Sequence, residues 1–288
     1  MKKSYLYAFV SIAFWSTTAT VSKLLLHSFG TIQILAVSST VAAIVLLIAN
    51  GVTGNLGKLK TYGLKDYLVT AGVGMLGTFV YNMFLVMGID KLFASQAMII
   101  NYLWPMMAVV AGCILLKEKM TVRKAIAVVL SFVGVVIVTT NGSLRSIAGS
   151  DLWGAMFCIL AAVSYGLFVT LNKRLSYDPL LNMMLYYVVS ALVAVGCVVV
   201  SGNVPTLSGT QVLGLGWIGL GDYAIAYVTW ALAMKAGDTA KVANLAYITP
   251  FLSLIVAHFF LGDPITVWSV GGLVVIVAGI FLQLKDAK

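Results

Sequence analysis

The side chains able to do chemistry in this chain are few, and they recur at matching places. Thr78, Tyr81, Asn82 and Leu85 are spaced by three and four, so a helix would gather them on one face. Later in the chain Tyr223, Ala226, Tyr227 and Trp230 take the same places in a gap-free overlay. Asn101, Tyr102 and Trp104 stand just before Pro105, and Asn244 and Tyr247 just before Pro250. Trp15 and Tyr165 align when Lys23 is laid over Lys173. The rings of Trp15, Tyr81, Trp104 and Trp230 offer flat faces to an aromatic or apolar body. The amides of Asn82, Asn101 and Asn244 can receive an amino or carboxylate group. Asp222 is the acid set well inside an apolar run, where an unpaired charge costs roughly 3 kcal/mol. It is the candidate for proton coupling or amine binding; the competing reading is a neutral acid bonded to nearby backbone.

The elements that hold these groups follow from composition. The 288 residues are 61% hydrophobic and 9% charged, with a mean hydropathy of +1.04. A soluble domain carries charge on about a quarter of its residues, so the polar surface here is too small to cover one. Apolar runs long enough to cross a hydrocarbon core of ~30 Å predict ten helices. They fall near Tyr5–Leu26, Thr31–Asn50, Tyr67–Gly88, Ala94–Leu116, Val122–Thr140, Leu152–Asn172, Leu180–Val200, Gln211–Met234, Thr239–Leu261 and Thr266–Leu284. The runs lack the polar–apolar alternation of a membrane barrel. The expectation is an all-α membrane protein. Trp153, Trp217 and Trp268, near helix ends, read as interfacial belt residues.

Of the 18 Lys and Arg residues, only Lys23, Lys91 and Arg145 fall on the outer side if the N-terminus is cytoplasmic. That asymmetry places both termini inside, with lipid around the spans. Lys23 and His258 lie near outer ends and are expected to reach outward.

The helices repeat. Laying Ala94–Thr140 over Thr239–Lys285 matches Tyr102 with Tyr247, Pro105 with Pro250, Thr121 with Thr266 and Gly134 with Gly279, and sets Glu118 on Asp263. The halves are residues 1–142 and 150–288, joined by the connector Asn141–Ser150. Five spans per half is an odd number, so the second half enters the membrane inverted, and a site belongs between the halves. Each proline removes a backbone donor and frees a carbonyl one turn earlier, near Asn101 and Ala246. Such a group needs a partner or a water-filled cavity. Pro105 and Pro250 are therefore predicted kinks beside a central pocket. The two overlays also expose differences: Trp104 faces Thr249, and Gly77 faces Asp222.

Several classes are disfavoured. Cys113, Cys158 and Cys197 are odd in number and scattered through helices, which predicts packing rather than a disulfide or a metal site. The sequence has no phosphate-loop motif, and neither ATP nor any other cofactor is expected. The basic residues form no stripe with aromatics, so the +9 charge does not point to nucleic acid. Lys2-Lys3 before an apolar run looks like a signal peptide, but the run is long enough to span and is expected to stay. Gly219-Leu220-Gly221-Asp222 and Tyr177-Asp178 resemble intramembrane aspartyl protease motifs. Asp178, however, stands in a basic loop before Pro179 rather than within a span. An enzyme is not expected.

Two inverted fives, basic inner loops, and an acid after the fourth and ninth helices resemble the EamA branch of the drug/metabolite transporter superfamily. The run Asn101-Tyr102-Leu103-Trp104-Pro105 is similar to the fourth-helix motif of YddG-type aromatic amino-acid exporters. The resemblance covers essentially the whole chain. It implies a central cavity open to one side at a time, lined by Asn101, Trp104, Tyr81 and Trp15. It also implies export of amino acids or related metabolites across a bacterial inner membrane, by a chain expected to work as a monomer. Exporters of another solute, such as a drug-like cation or a purine, remain the alternative, and Asp222 is the residue that would separate them.

Overall fold

A computed structural model describes residues 2–142, 151–175, 178–237, 242 and 244–284. The connector from 143 to 150, and Arg145, Tyr177, Thr239, Lys241 and Lys285, lie outside the described residues. Ten apolar helices account for the described fold, eight of them long enough to cross a membrane and two shorter. They are α1 (Lys2–Leu26), α2 (Thr31–Val52), α3 (Leu64–Lys91), α4 (Ala94–Leu115) and α5 (Val122–Thr140). The second set is α6 (Leu152–Asn172), α7 (Pro179–Ser201), α8 (Gly209–Ala236), α9 (Ile248–Leu261) and α10 (Val267–Leu284). The protein is an all-α membrane protein.

Capping side chains fix several boundaries. Thr121 accepts from the Lys124 amide at the start of α5, Asp151 from Gly154 at α6, and Asp178 from Leu180 and Leu181 at α7. The third and seventh spans therefore start earlier than hydropathy marked them, because a cap or a polar first turn leaves no hydropathic signal. Large apolar side chains such as Leu6, Ile48, Leu192, Val200 and Phe259 point outward, as lipid solvation requires. Trp153, Trp217 and Trp268 are exposed as well.

Helices pair in a pattern that maps onto itself when each helix is exchanged with the one five places on. α2 packs on α7 and α5 on α10, while α1 packs on α8 and α9 and α6 on α3 and α4. α5 and α10 touch backbone to backbone. A Cβ on Gly134 would lie 2.7 Å from the Gly272 carbonyl, and one on Gly279 would lie 2.8 Å from that of Ala127.

Both halves break their helices at equivalent places. α3 carries a π-helical stretch at Met75–Val80, and α8 carries one at Trp217–Ile225. α4 is interrupted by a turn at residues 102–103, just before Pro105, and residues 246–247 form a turn just before Pro250. The prolines thus stand in the first turn of a new helical segment, where a missing N–H costs little, rather than within a continuous kinked helix. The carbonyl freed by Pro250 has its partner: the Tyr102 hydroxyl donates to Ala246 O at 2.7 Å.

Candidate substrate site

The interrupted stretches bring most of the aromatic candidates together at the middle of the bundle. Tyr165 of α6 is the hub. Its ring lies 4.7 Å from that of Tyr81 (α3) and 5.1 Å, edge-on, from Trp104 (α4), and the Tyr227 hydroxyl (α8) approaches its own at 3.5 Å. Trp15 of α1 packs on Tyr227 at 5.5 Å and on Trp230 at 5.2 Å. Tyr223 stacks on Tyr187 of α7 at 5.1 Å. Trp15, Tyr81, Trp104, Tyr165, Tyr227 and Trp230 all keep partial accessibility while touching one another across helices.

Polar groups at this level divide into two kinds. Thr78 donates to Gly74 O and Tyr186 O, and Asn82 donates to Thr78 O at 2.6 Å. Those bonds service the π-helical backbone of α3, whose carbonyls are out of α-helical register. Tyr102 is buried and bonded to Ala246, so it ties α4 to the turn before α9 and presents no free hydroxyl. Asn101 is different. Its Nδ2 donates to Tyr81 Oη at 3.1 Å, but its Oδ1 is buried without a partner. Tyr247 packs edge-on against Phe281 of α10, and Asn244 is half-buried in the segment before α9; neither touches the ring cluster in the contacts described.

Asp222 lies in the π-helical stretch of α8 and is 5% exposed. It faces the hydroxyl of Thr18 of α1, which has no other partner. The hydroxyls of Tyr81, Tyr165, Tyr187 and Tyr223 are within electrostatic reach of the carboxyl. Among the described residues no Lys, Arg or His acts on it. Asp178 has a wholly different setting. It caps α7 and pairs with Lys58 at 2.6 Å. The structure therefore joins Asp222 to tyrosines and Thr18, with no second carboxyl among the groups that act on it.

Thr18, Phe168 and Tyr187 were missing from the sequence-derived set. Thr18 and Phe168 were open to detection: the overlay that sets Lys23 on Lys173 also sets Thr18 on Phe168. Tyr187 gives no such signal, being one aromatic in an apolar helix.

The two ends of the site differ. At the end away from the Lys-rich loops, Lys23 Nζ donates to the carbonyls of Ile89, Asp90 and Leu92 at 2.7, 2.8 and 2.9 Å. Its ammonium thus turns in to the α3–α4 corner instead of reaching outward, because three orphan carbonyls at the end of a helix make a better site than the interface. Asp263 Oδ2 accepts from both the amide and the hydroxyl of Ser95, binding the α9–α10 loop to the start of α4. His258 Nδ1 meets the Asp263 carbonyl at 2.8 Å. α1 packs against the C-terminal part of α3 at this end, whereas its counterpart α6 makes at most marginal contact with the C-terminal part of α8. Lys173, the counterpart of Lys23, is exposed. The two ends are therefore tied differently: Lys23 holds the α3–α4 corner at one, while Arg174 donates to Leu115 O at 2.6 Å and Lys58 pairs with Asp178 at the other.

A membrane bundle with paired helix breaks around a half-buried aromatic centre is the build of a transporter. The EamA-like transporter family matches residues 2–140 and again 152–284, and the chain belongs to that family. An uncharacterized transporter of Clostridium kluyveri is 25% identical over 297 residues, covering 100% of this chain and 95% of that protein. The aromatic amino acid exporter YddG of Ancylobacter novellus is 24% identical over 190 residues, covering 65% of this chain and 66% of the exporter. One crystal structure, 20% identical, superposes with a TM-score of 0.67 over 100% of this chain and 98% of its own, a likeness of fold. The protein is an integral multi-pass membrane transporter.

Proposed function

We propose that the chain is a secondary-active exporter of aromatic or neutral amino acids and related small metabolites, working by alternating access. The observation that carries this reading is the convergence of Trp15, Tyr81, Trp104, Tyr165, Tyr227 and Trp230 where α3, α4 and α8 lose regular helix. These rings come from both stretches that match the family, so a solute among them would touch both halves. The self-mapping helix pairs support a repeat of two inverted five-helix halves, residues 1–142 and 150–288. The likeness to a YddG aromatic amino acid exporter supports the solute class. With the basic loops cytoplasmic in a bacterial inner membrane, the Lys23 corner lies on the outer side. Asp222 is then placed to carry a coupling proton.

The test is flux in proteoliposomes. Trp104→Ala is expected to cut tryptophan counterflow at least about ten-fold with normal protein yield, since ring stacking contributes about 1 kcal/mol or more per contact. Unchanged flux would remove Trp104 from the path. An imposed pH gradient that leaves flux unaltered would remove the proton from Asp222.

A second reading, export of a cationic solute, is favoured by one observation: the central acid has no basic partner among the described residues.

A further inference from the structure

The hydrogen-bonding groups left unspent at the middle of the bundle are one-sided. Asp222 is a carboxyl with 5% exposure and no cation acting on it among the described residues. Asn101 has used its amide nitrogen on Tyr81, which leaves a carbonyl oxygen, buried and unpartnered. Thr18 Oγ1, on the α1 face shared with Trp15, lies against the Asp222 carboxyl and has no other partner. Two of these three are pure acceptors, and the third can accept. A buried acceptor left unpaired costs roughly 1–3 kcal/mol, so the set is tuned to a ligand that brings donors. The surrounding rings add attraction for a positive charge, since the faces of Trp and Tyr are negative. A solute carboxylate would meet no fixed positive charge there and would be repelled by an ionised Asp222.

We propose that Asp222 and Thr18 form a subsite for the ammonium group of an aromatic primary amine, whose body lies among Trp15, Tyr165 and Tyr227, so that cationic amines bind in preference to the corresponding amino acids. This rests on reading the centre as a transport site. The subsite is single. At the equivalent place in the other half, Gly77 and Phe168 put a bare backbone under a buried ring. The amine therefore enters with its charge toward α8.

Binding of tryptamine, tryptophan and indole-3-propionate to the purified full chain, measured by calorimetry and thermal shift, tests the proposal. Tryptamine should bind at least about ten-fold more tightly than tryptophan, with indole-3-propionate weakest. Asp222→Asn should weaken tryptamine about 30-fold or more, as for one partner lost from a buried charged pair. Thr18→Val, the milder change, should weaken it a few-fold and covers the case in which the aspartate variant does not fold. Equal affinity for tryptophan or indole-3-propionate, full tryptamine affinity in either variant, or no binding of tryptamine would each overturn it. Tryptophan counterflow in the same preparation separates the two ideas. Flux that is insensitive to Asp222→Asn would overturn the subsite and leave the transporter intact, whereas absence of tryptophan flux while tryptamine binds would overturn the amino-acid reading alone.

Discussion

Gly77 and Asp222 occupy one position in the two halves, and the difference between them runs through the whole site. In the first half the π-helical turn of α3 carries no side chain at that point, and the Phe168 ring fills the space. In the second half the π-helical turn of α8 carries a carboxyl, and the facing residue has shrunk to Thr18. Ring size and side-chain charge are exchanged together, as close packing demands. The doubled part of this protein is its backbone plan: paired breaks, paired prolines and paired glycines. The chemistry is placed once.

The comparison breaks most readily at Gly77. A Cβ there would run into the Phe168 ring, which is itself held by Tyr165 and Tyr186. Gly77→Asp alone adds both overpacking and an uncompensated acid, together costing several kcal/mol. The expected outcome is loss of monodisperse protein. If the two positions are equivalent, Gly77→Asp combined with Phe168→Thr should restore a large share of the yield, because it transplants the second half's pair. Fluorescence-detected size exclusion reads the result. Equal yields from the single and double variants would refute the equivalence.

Much of this is legible in the amino-acid sequence. Hydropathy located most helices to within a few residues because lipid tolerates so little polarity, though the ninth, expected from Thr239, begins at Ile248 after the turn at residues 246–247. The Gly77–Asp222 difference came from an overlay of the chain on itself. The helix breaks followed from Pro105 and Pro250, though their form did not: whether a proline bends a helix or starts a new one depends on carbonyl partners. Tyr102 shows why side-chain roles were harder. By spacing it belonged with the pocket, yet its hydroxyl is committed to Ala246 O, a contact between residues distant in sequence. Lys23 is a similar case, since the three carbonyls that hold it belong to a corner of the chain far along.

Lys23 against Lys173 is the comparison next in size. The first binds three carbonyls at the α3–α4 corner, and the second is exposed at the opposite end. Lys23→Met removes charge-assisted bonds that hold α1 to the α3–α4 corner, and coupling energies of about 1–3 kcal/mol correspond to roughly 5–150-fold in a two-state balance. In a background free of Cys113, Cys158 and Cys197, a cysteine placed at buried Leu92 should then react about ten-fold faster with an impermeant maleimide. Lys173→Met should leave that rate unchanged. Equal effects from both would mean that the two ends are not differently latched.

Asp178 supplies the smallest effect and the control for Asp222, being an acid of the same half with every partner that Asp222 lacks. Partial burial by itself would raise its carboxyl, but Lys58 and the amides of Leu181 and Leu180 bring it below the ordinary value of 3.8. A folded-state value below the unfolded one contributes stability above the unfolded value and loses it as pH falls through the folded one. Asp178→Asn keeps the cap and removes the charge, at a cost of about 0.5–1 kcal/mol at neutral pH. The melting temperature should therefore drop by a degree or two at pH 7, and the gap to wild type should close as pH falls below about 4. A gap that persists in acid would assign the stability to the cap geometry and not to the Lys58 pair.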